Sequence, residues 1–170
     1  MRILLNGLVL LGTVLFFVSC GEGELTATNG LKYKLITPGE GEFAKNGEYI
    51  LMNLTYADQN DSVWLNTSEN GSPMPLLKDS TWAASEGSIY SIFSDLKEGD
   101  SVQFSISCKD LFAYTFKTPI PANVDSTSIL TFNLGVEAIY DMAGIRAWQQ
   151  QQQQKMMVRQ QEMAIEQKEK

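Results

Sequence analysis

Two cysteines and no histidine limit the side-chain chemistry open to this 170-residue chain. Without imidazole, neither a Ser-His-Asp nor a Cys-His arrangement can form, and a zinc site loses one of its main ligands. Cys20 directly follows an apolar run, Ile3–Val18, and one small residue, Ser19. Cys108 lies in an alternating apolar stretch, the setting of a small buried side chain rather than a nucleophile. With Cys20 committed to the end of the apolar run, Cys108 has no intrachain partner, so the fold must be held by its core and not by a disulfide. Most routes to covalent or metal chemistry are closed.

Arg2 carries the only charge ahead of the apolar run, giving the order positive, apolar, small, cysteine. That is the layout of a secretory signal, and the run is too short for a stable spanning helix. Phe17-Val18-Ser19-Cys20 resembles a lipobox, which implies that Cys20 is lipidated and becomes the mature N-terminus. Two acyl chains on the thiol and one on the amine would hold the protein firmly, at about 0.8 kcal/mol per buried methylene. Residues 1–19 are therefore expected to be a lipoprotein signal peptide. The mature protein is expected at the cell envelope, on the outer membrane or cell surface, attached to the membrane through its lipid anchor. Plain secretion and an uncleaved signal anchor are the alternatives.

The formal net charge is -7 and no basic cluster is present, which argues against nucleic acid as a partner. It argues equally against electrostatic adhesion to anionic lipid, leaving the acyl chains to do that work. Glycine and small polar residues through 20–29 read as a flexible tether.

The elements that must position any site follow from periodicity. Alternation in Leu31–Leu35, Val102–Ile106 and Leu130–Val136 predicts strands with one face on a core, and the apolar and aromatic richness of Tyr49–Tyr56, with Val63–Leu65 after it, predicts two more. Ile89, Ile92, Phe93 and Leu96 fall instead at i, i+3, i+4 and i+7, an apolar stripe on a helix, with Ser85 or Ser88 available to start it and Gly99 to end it. The class is α+β: an antiparallel sheet wrapped on one short amphipathic helix. The domain spans 30–140, and a Gln-rich helix follows over 141–170. Ile145, Trp148, Met156 and Met163 lie near heptad spacing, but Gln152 and Arg159 interrupt the seam. A solvated helix is the first expectation for this segment, and a coiled-coil homodimer the second.

The order of short motifs is more specific than any one of them. Gly30-Leu31-Lys32-Tyr33-Lys34, Pro38-Gly39-Glu40-Gly41, Leu54-Thr55-Tyr56, Ser72-Pro73-Met74, Leu96-Lys97-Glu98-Gly99-Asp100, Thr118-Pro119-Ile120-Pro121 and Ile129–Leu134 follow one another along the chain. This series resembles the FKBP-type peptidyl-prolyl cis-trans isomerase domain, particularly divergent bacterial lipoprotein members, over Gly30 to about Ala138. The resemblance implies catalysis of X–Pro rotation in peptide segments or unfolded proteins, with no cofactor and no metal. Rotation about that bond is opposed by a barrier of about 18–20 kcal/mol, because the planar amide is resonance-stabilised. A dry apolar cleft favours the twisted amide, so lowering the barrier needs no nucleophile, acid, base or metal.

The resemblance places Leu54, Leu65, Asn66, Phe112 and Phe132 at the family's catalytic positions, and Met74, Ile89 and Ile120 at substrate-binding ones. Leu54 stands where the family has a tyrosine, and Leu65-Asn66 where it has Phe-Asp. Met74 takes the place of a phenylalanine, and Phe112 that of the tyrosine whose hydroxyl binds peptide. Ile89 maps to the pocket floor, with Trp82 as a spatial substitute. Two hydroxyls and a carboxylate are thereby lost from the cleft, each hydrogen bond contributing about 0.5–1.5 kcal/mol. Two readings follow: an isomerase of reduced affinity, or a module retired from catalysis that grips extended apolar or Pro-containing segments. A third makes the domain a spacer whose C-terminal helix self-assembles.

Overall fold

The computed structural model describes residues 23–69 and 72–168. Cys20 and the signal segment lie outside the described residues. The elements are β1 (Glu24–Thr26), β2 (Lys32–Thr37), β3 (Tyr49–Ala57), β4 (Val63–Asn66), β5 (Met74–Leu77), α1 (Tyr90–Ser94), β6 (Ser101–Ser107), α2 (Cys108–Asp110), β7 (Ile129–Tyr140) and α3 (Met142–Lys168). A π-helical turn, Leu111–Phe116, continues α2.

Alternation decides the sheet. Val102, Phe104 and Ile106 on β6, and Leu130, Phe132, Leu134 and Val136 on β7, all turn to one face and are buried. The antiparallel order is β1-β2-β6-β7-β3-β4, with β5 also paired to β3. β3 and β7 run together from Tyr49 opposite Tyr140 to Ala57 opposite Thr131, with one bulge between Leu51 and Met52. The outer edge of β3 is shared: β5 pairs with its start and β4 with its end. Strand β5 was not evident from its sequence, because Pro75 interrupts the β pattern. It holds as a four-residue edge strand, where a missing N–H is tolerated.

The amphipathic stripe packs across the apolar face as expected, with Ile92 and Phe93 inside α1 and Ile89 and Leu96 buried at its flanks. The helix itself is only five residues long. Ser85 does not cap it, and Ser88 Oγ accepts from Tyr90 N–H at 3.3 Å. Gly99, at φ +89°, closes the following turn rather than the helix. That turn is tied to the 38–41 loop: the buried Asp100 carboxylate accepts from Gly39 N–H at 2.6 Å and Lys97 N–H at 2.7 Å.

The stretch expected as a tether is in part structure. Glu24–Thr26 adds to the sheet beside β2, and Glu24 pairs with Lys32 at 2.8 Å. Ala27 is buried, and the Asn29 side chain donates to Ser85 O at 2.7 Å and Ser88 O at 2.9 Å. Isolated small residues concealed this, since the segment gains its order from backbone pairing and from one amide reaching across the chain.

In α3, Ile145 is buried against the domain, which removes it from any seam. Met156 and Met163 are exposed. Among the described residues no helix is long and apolar enough to cross a membrane.

Candidate binding cleft

The register of three strands builds the wall of a cleft before any loop is added. Tyr56 on β3 and Phe104 on β6 both lie directly opposite Phe132 on β7. Their rings stack in series, Tyr56 to Phe132 at 4.5 Å and Phe132 to Phe104 at 4.9 Å between centroids. Aromatic pairs at such offsets contribute about 0.5–1.5 kcal/mol each beyond area burial. Leu54, two residues before Tyr56, shares its face, and Leu65 enters from β4 opposite Tyr56. Met74 and Leu76 complete the side formed by β5.

Ile89, Tyr90 and Phe93 supply the other side, from α1 and the residue before it. Their position is fixed from two directions. Asn29 holds the carbonyls of Ser85 and Ser88, and the Thr115 hydroxyl accepts from Ile89 N–H at 3.1 Å while donating to Ser88 Oγ at 3.4 Å. Thr115 and Phe116 close the cleft from the π-helical turn.

The cleft is open to solvent on one side and has a volume of about 160 Å³. An apolar space near 150 Å³ accepts a benzene-sized guest, so the cleft has room for a single small ring of a bound segment. No Asp, Glu, Lys or Arg lines it. A larger open groove, about 620 Å³, runs between Ser72 and α3, where Met156 and Met163 alternate with Gln152, Lys155, Arg159 and Gln160.

Five residues named from the sequence, Leu54, Leu65, Met74, Ile89 and Phe132, converge here. Three do not. Asn66 turns away: its Oδ1 accepts from Ser68 N–H at 3.1 Å and Thr55 Oγ1 at 3.2 Å, and its Nδ2 donates to Glu69 at 3.0 Å. That is an Asx turn at the end of β4. Phe112 packs edge-on against Phe116 at 5.2 Å and lies outside the lining. A π-helical turn holds an extra residue per turn, and here it turns Thr115 inward and leaves Phe116 at the exposed rim of the cleft. Ile120, half-buried in the loop after that turn, is displaced with it. Trp82 does not line the cleft but braces it, stacked on Tyr90 at 4.9 Å and edge-on to Phe93 at 6.3 Å.

Three solved structures share this arrangement of sheet and helix. Crystalline FkpA from Escherichia coli superposes with a TM-score of 0.52 at 18% identity, over 72% of this chain and 54% of that one. A peptidyl-prolyl cis-trans isomerase from Pseudomonas syringae pv. tomato gives 0.53 at 14% identity, over 72% of this chain and 84% of that one. A multi-domain immunophilin from Arabidopsis thaliana gives 0.51 at 12%, over 70% of this chain and 46% of that one. The fold is FKBP-type. This chain spans about half the length of the FkpA chain. At these identities the likeness is one of fold, and no family model and no curated protein sequence matches the chain.

Within this FKBP-type domain, burial pushes the phenols of Tyr56 and Tyr33 and the Cys108 thiol upward. The carboxylates of Asp95 and Asp100 add to the shift at Tyr33, and Asp125 adds to that at Cys108. As pH rises, the unfolded chain loses these protons before the folded one does. The stability they contribute is complete below their ordinary values, 9.0 for the thiol and 10.0 for the phenols. It is lost as pH climbs through the higher folded values. Urea midpoints measured from about pH 8 to pH 11 should fall above about pH 9, and a rise there would contradict these burials.

Proposed function

We propose that the protein is a peptidyl-prolyl cis-trans isomerase or folding helper of the cell envelope, acting on X–Pro bonds of extended or unfolded segments. The observation that carries this is a ring-sized apolar cleft, walled by Leu54 and Phe132 and floored by Ile89, on an FKBP-type sheet. Seating a proline ring there strips water from its amide. That favours the twisted form, in which the nitrogen is less polar, over the planar one. Chemical-shift mapping with a short apolar Pro peptide tests the site: perturbations centred on Ile89 and Phe132 are expected, and perturbations confined to α3 would overturn it.

A second reading keeps the grip and drops the catalysis. It is favoured by the lining itself, which has no carboxylate and lacks the Phe112 position of the family's peptide-binding hydroxyl. The two are separated by rate, since a binder perturbs the peptide without accelerating its exchange.

Membrane attachment through Cys20 belongs to the same proposal. Cys20→Ala should move the protein from the membrane to the soluble fraction on cell fractionation. A fully membrane-bound variant would rule out the lipid anchor. Self-association through α3 would show as loss of an oligomer on deleting 142–170, with domain stability unchanged.

A further inference from the structure

A second pocket, of about 200 Å³, opens at the β1 corner of the sheet and shares no lining residue with the cleft. Leu25 on β1 lies directly opposite Tyr33 on β2, so both turn to one face. Leu35, Pro38 and Leu96 extend the apolar wall, and Phe43, half exposed, stands at the mouth. The wall is apolar, but two carboxylates, Asp95 and Asp100, also line the pocket. Asp100 is buried and held by the backbone N–H groups of Gly39 and Lys97. Asp95 accepts from the Ser94 hydroxyl at 3.1 Å through one oxygen. Among the described residues neither carboxylate is paired with a cation. Lys97 Nζ lies over the Phe43 ring, 4.9 Å from its centroid, and Lys78 Nζ donates to Ala44 O and Ser94 O. Tyr33 is 7% exposed, and its hydroxyl makes no hydrogen bond among the described residues. No buried polar side-chain atom there is left without a partner, so that hydroxyl is the part of Tyr33 that meets the open space. Its phenol is pushed up first by burial and then by Asp95 and Asp100, which sets both charges close to it.

We propose that this pocket takes a primary ammonium on an unbranched apolar stem, the side chain of a lysine carried by an extended segment of another protein. The stem lies along Leu25, Leu35 and Leu96, as long charged side chains do on apolar surface. The ammonium, with three donors and no acceptor, meets the open oxygen of Asp95 and the Tyr33 hydroxyl. A hard metal ion is a poorer fit, since it needs several oxygen ligands and no group of three acidic residues occurs among the described residues. The sheet edge argues for a segment rather than a free amine. β1 is the outermost strand and pairs only with β2, so its free edge can hydrogen-bond an added strand. Alternate side chains of that strand fall on the face of Leu25 and Tyr33. A formal net charge of -7 draws a basic segment toward it.

Resonances of the full chain titrated with a blocked Val-Ala-Lys-Ala-Val peptide should move at Leu25, Tyr33 and Leu96 and stay fixed at Ile89 and Phe132. Norleucine in place of the lysine keeps the stem, removes the charge and should weaken binding about 10-fold or more. Asp95→Asn and Tyr33→Phe should each weaken it about 3- to 10-fold with the denaturation midpoint unchanged. n-Butylamine, which adds no strand, should bind more weakly than the peptide. Equal affinity for the norleucine peptide, or wild-type affinity in either variant, would overturn the ammonium site. n-Butylamine matching the peptide would overturn the strand-borne source. Shifts centred on the cleft or on α3, or no shifts at all, would overturn the whole assignment. The cleft reading would stand in each case, because the two pockets have separate walls.

Discussion

Phe132→Ala should empty the cleft of affinity and lower stability by about 3–5 kcal/mol. Phe132 is 1% exposed and is the middle ring of the Tyr56–Phe132–Phe104 stack, so its loss removes two ring contacts and opens a void. Domains of this size have about 5–15 kcal/mol in total, so the variant should remain measurable at low temperature. Denaturant unfolding gives the first quantity, and peptide titration of the folded variant gives the second. Retained affinity in a folded Phe132→Ala chain would place the binding site elsewhere.

Gly39→Ala should be comparably damaging for a different reason, and far from the cleft. A Cβ at Gly39 would lie 2.6 Å from Asp100 N and 2.7 Å from Gly99 C, and still closer to Glu98 O. These are backbone atoms of a turn fixed by the buried Asp100 carboxylate, so no side chain can swing aside. Overpacking of this kind costs about 1–3 kcal/mol, and rigid backbone neighbours put this site at the upper end. The denaturation midpoint should fall, while the peptide affinity of the folded fraction stays at the wild-type value. An unchanged midpoint would mean that the 38–41 loop is not seated against the turn. Together the two variants separate damage to the fold from damage to the site.

How far the sequence could be read depended on whether the signal was local. Period-two alternation located β2, β6 and β7, because one face of each is turned to the core, while β3 and β4 were found from their apolar and aromatic content. Leu54, Leu65, Met74, Ile89 and Phe132 were named from the family resemblance, and they reach the cleft because strands and the start of α1, rather than long loops, place them. Tyr56 was missed, although the spacing held the signal. Two residues beyond Leu54 on the same strand, it had to share its face. Thr115 and Phe116 gave no such signal, since the π-helical turn that brings them to the cleft has no compositional signature. Asn66 could be read either as a wall residue or as an Asx turn, and the hydrogen bonds from Ser68 and Thr55 settle it as the turn. Glu24–Thr26 escaped notice because a three-residue edge strand is ordered by its neighbour rather than by its own side chains.

The central claim is that an apolar cleft with no acid, base, nucleophile or metal ligand on its walls speeds rotation about a prolyl bond. Exchange NMR on a blocked Ala-Leu-Pro-Phe peptide, with and without the full chain, tests it most directly. Uncatalysed exchange takes tens to hundreds of seconds at 25 °C. Cross-peaks between cis and trans forms that appear within seconds in the presence of the protein, and vanish with Phe132→Ala, are the predicted result. Peptide resonances that broaden, with protein resonances shifted at Ile89 and Phe132, while the exchange rate stays at its uncatalysed value would contradict catalysis and leave a binding module.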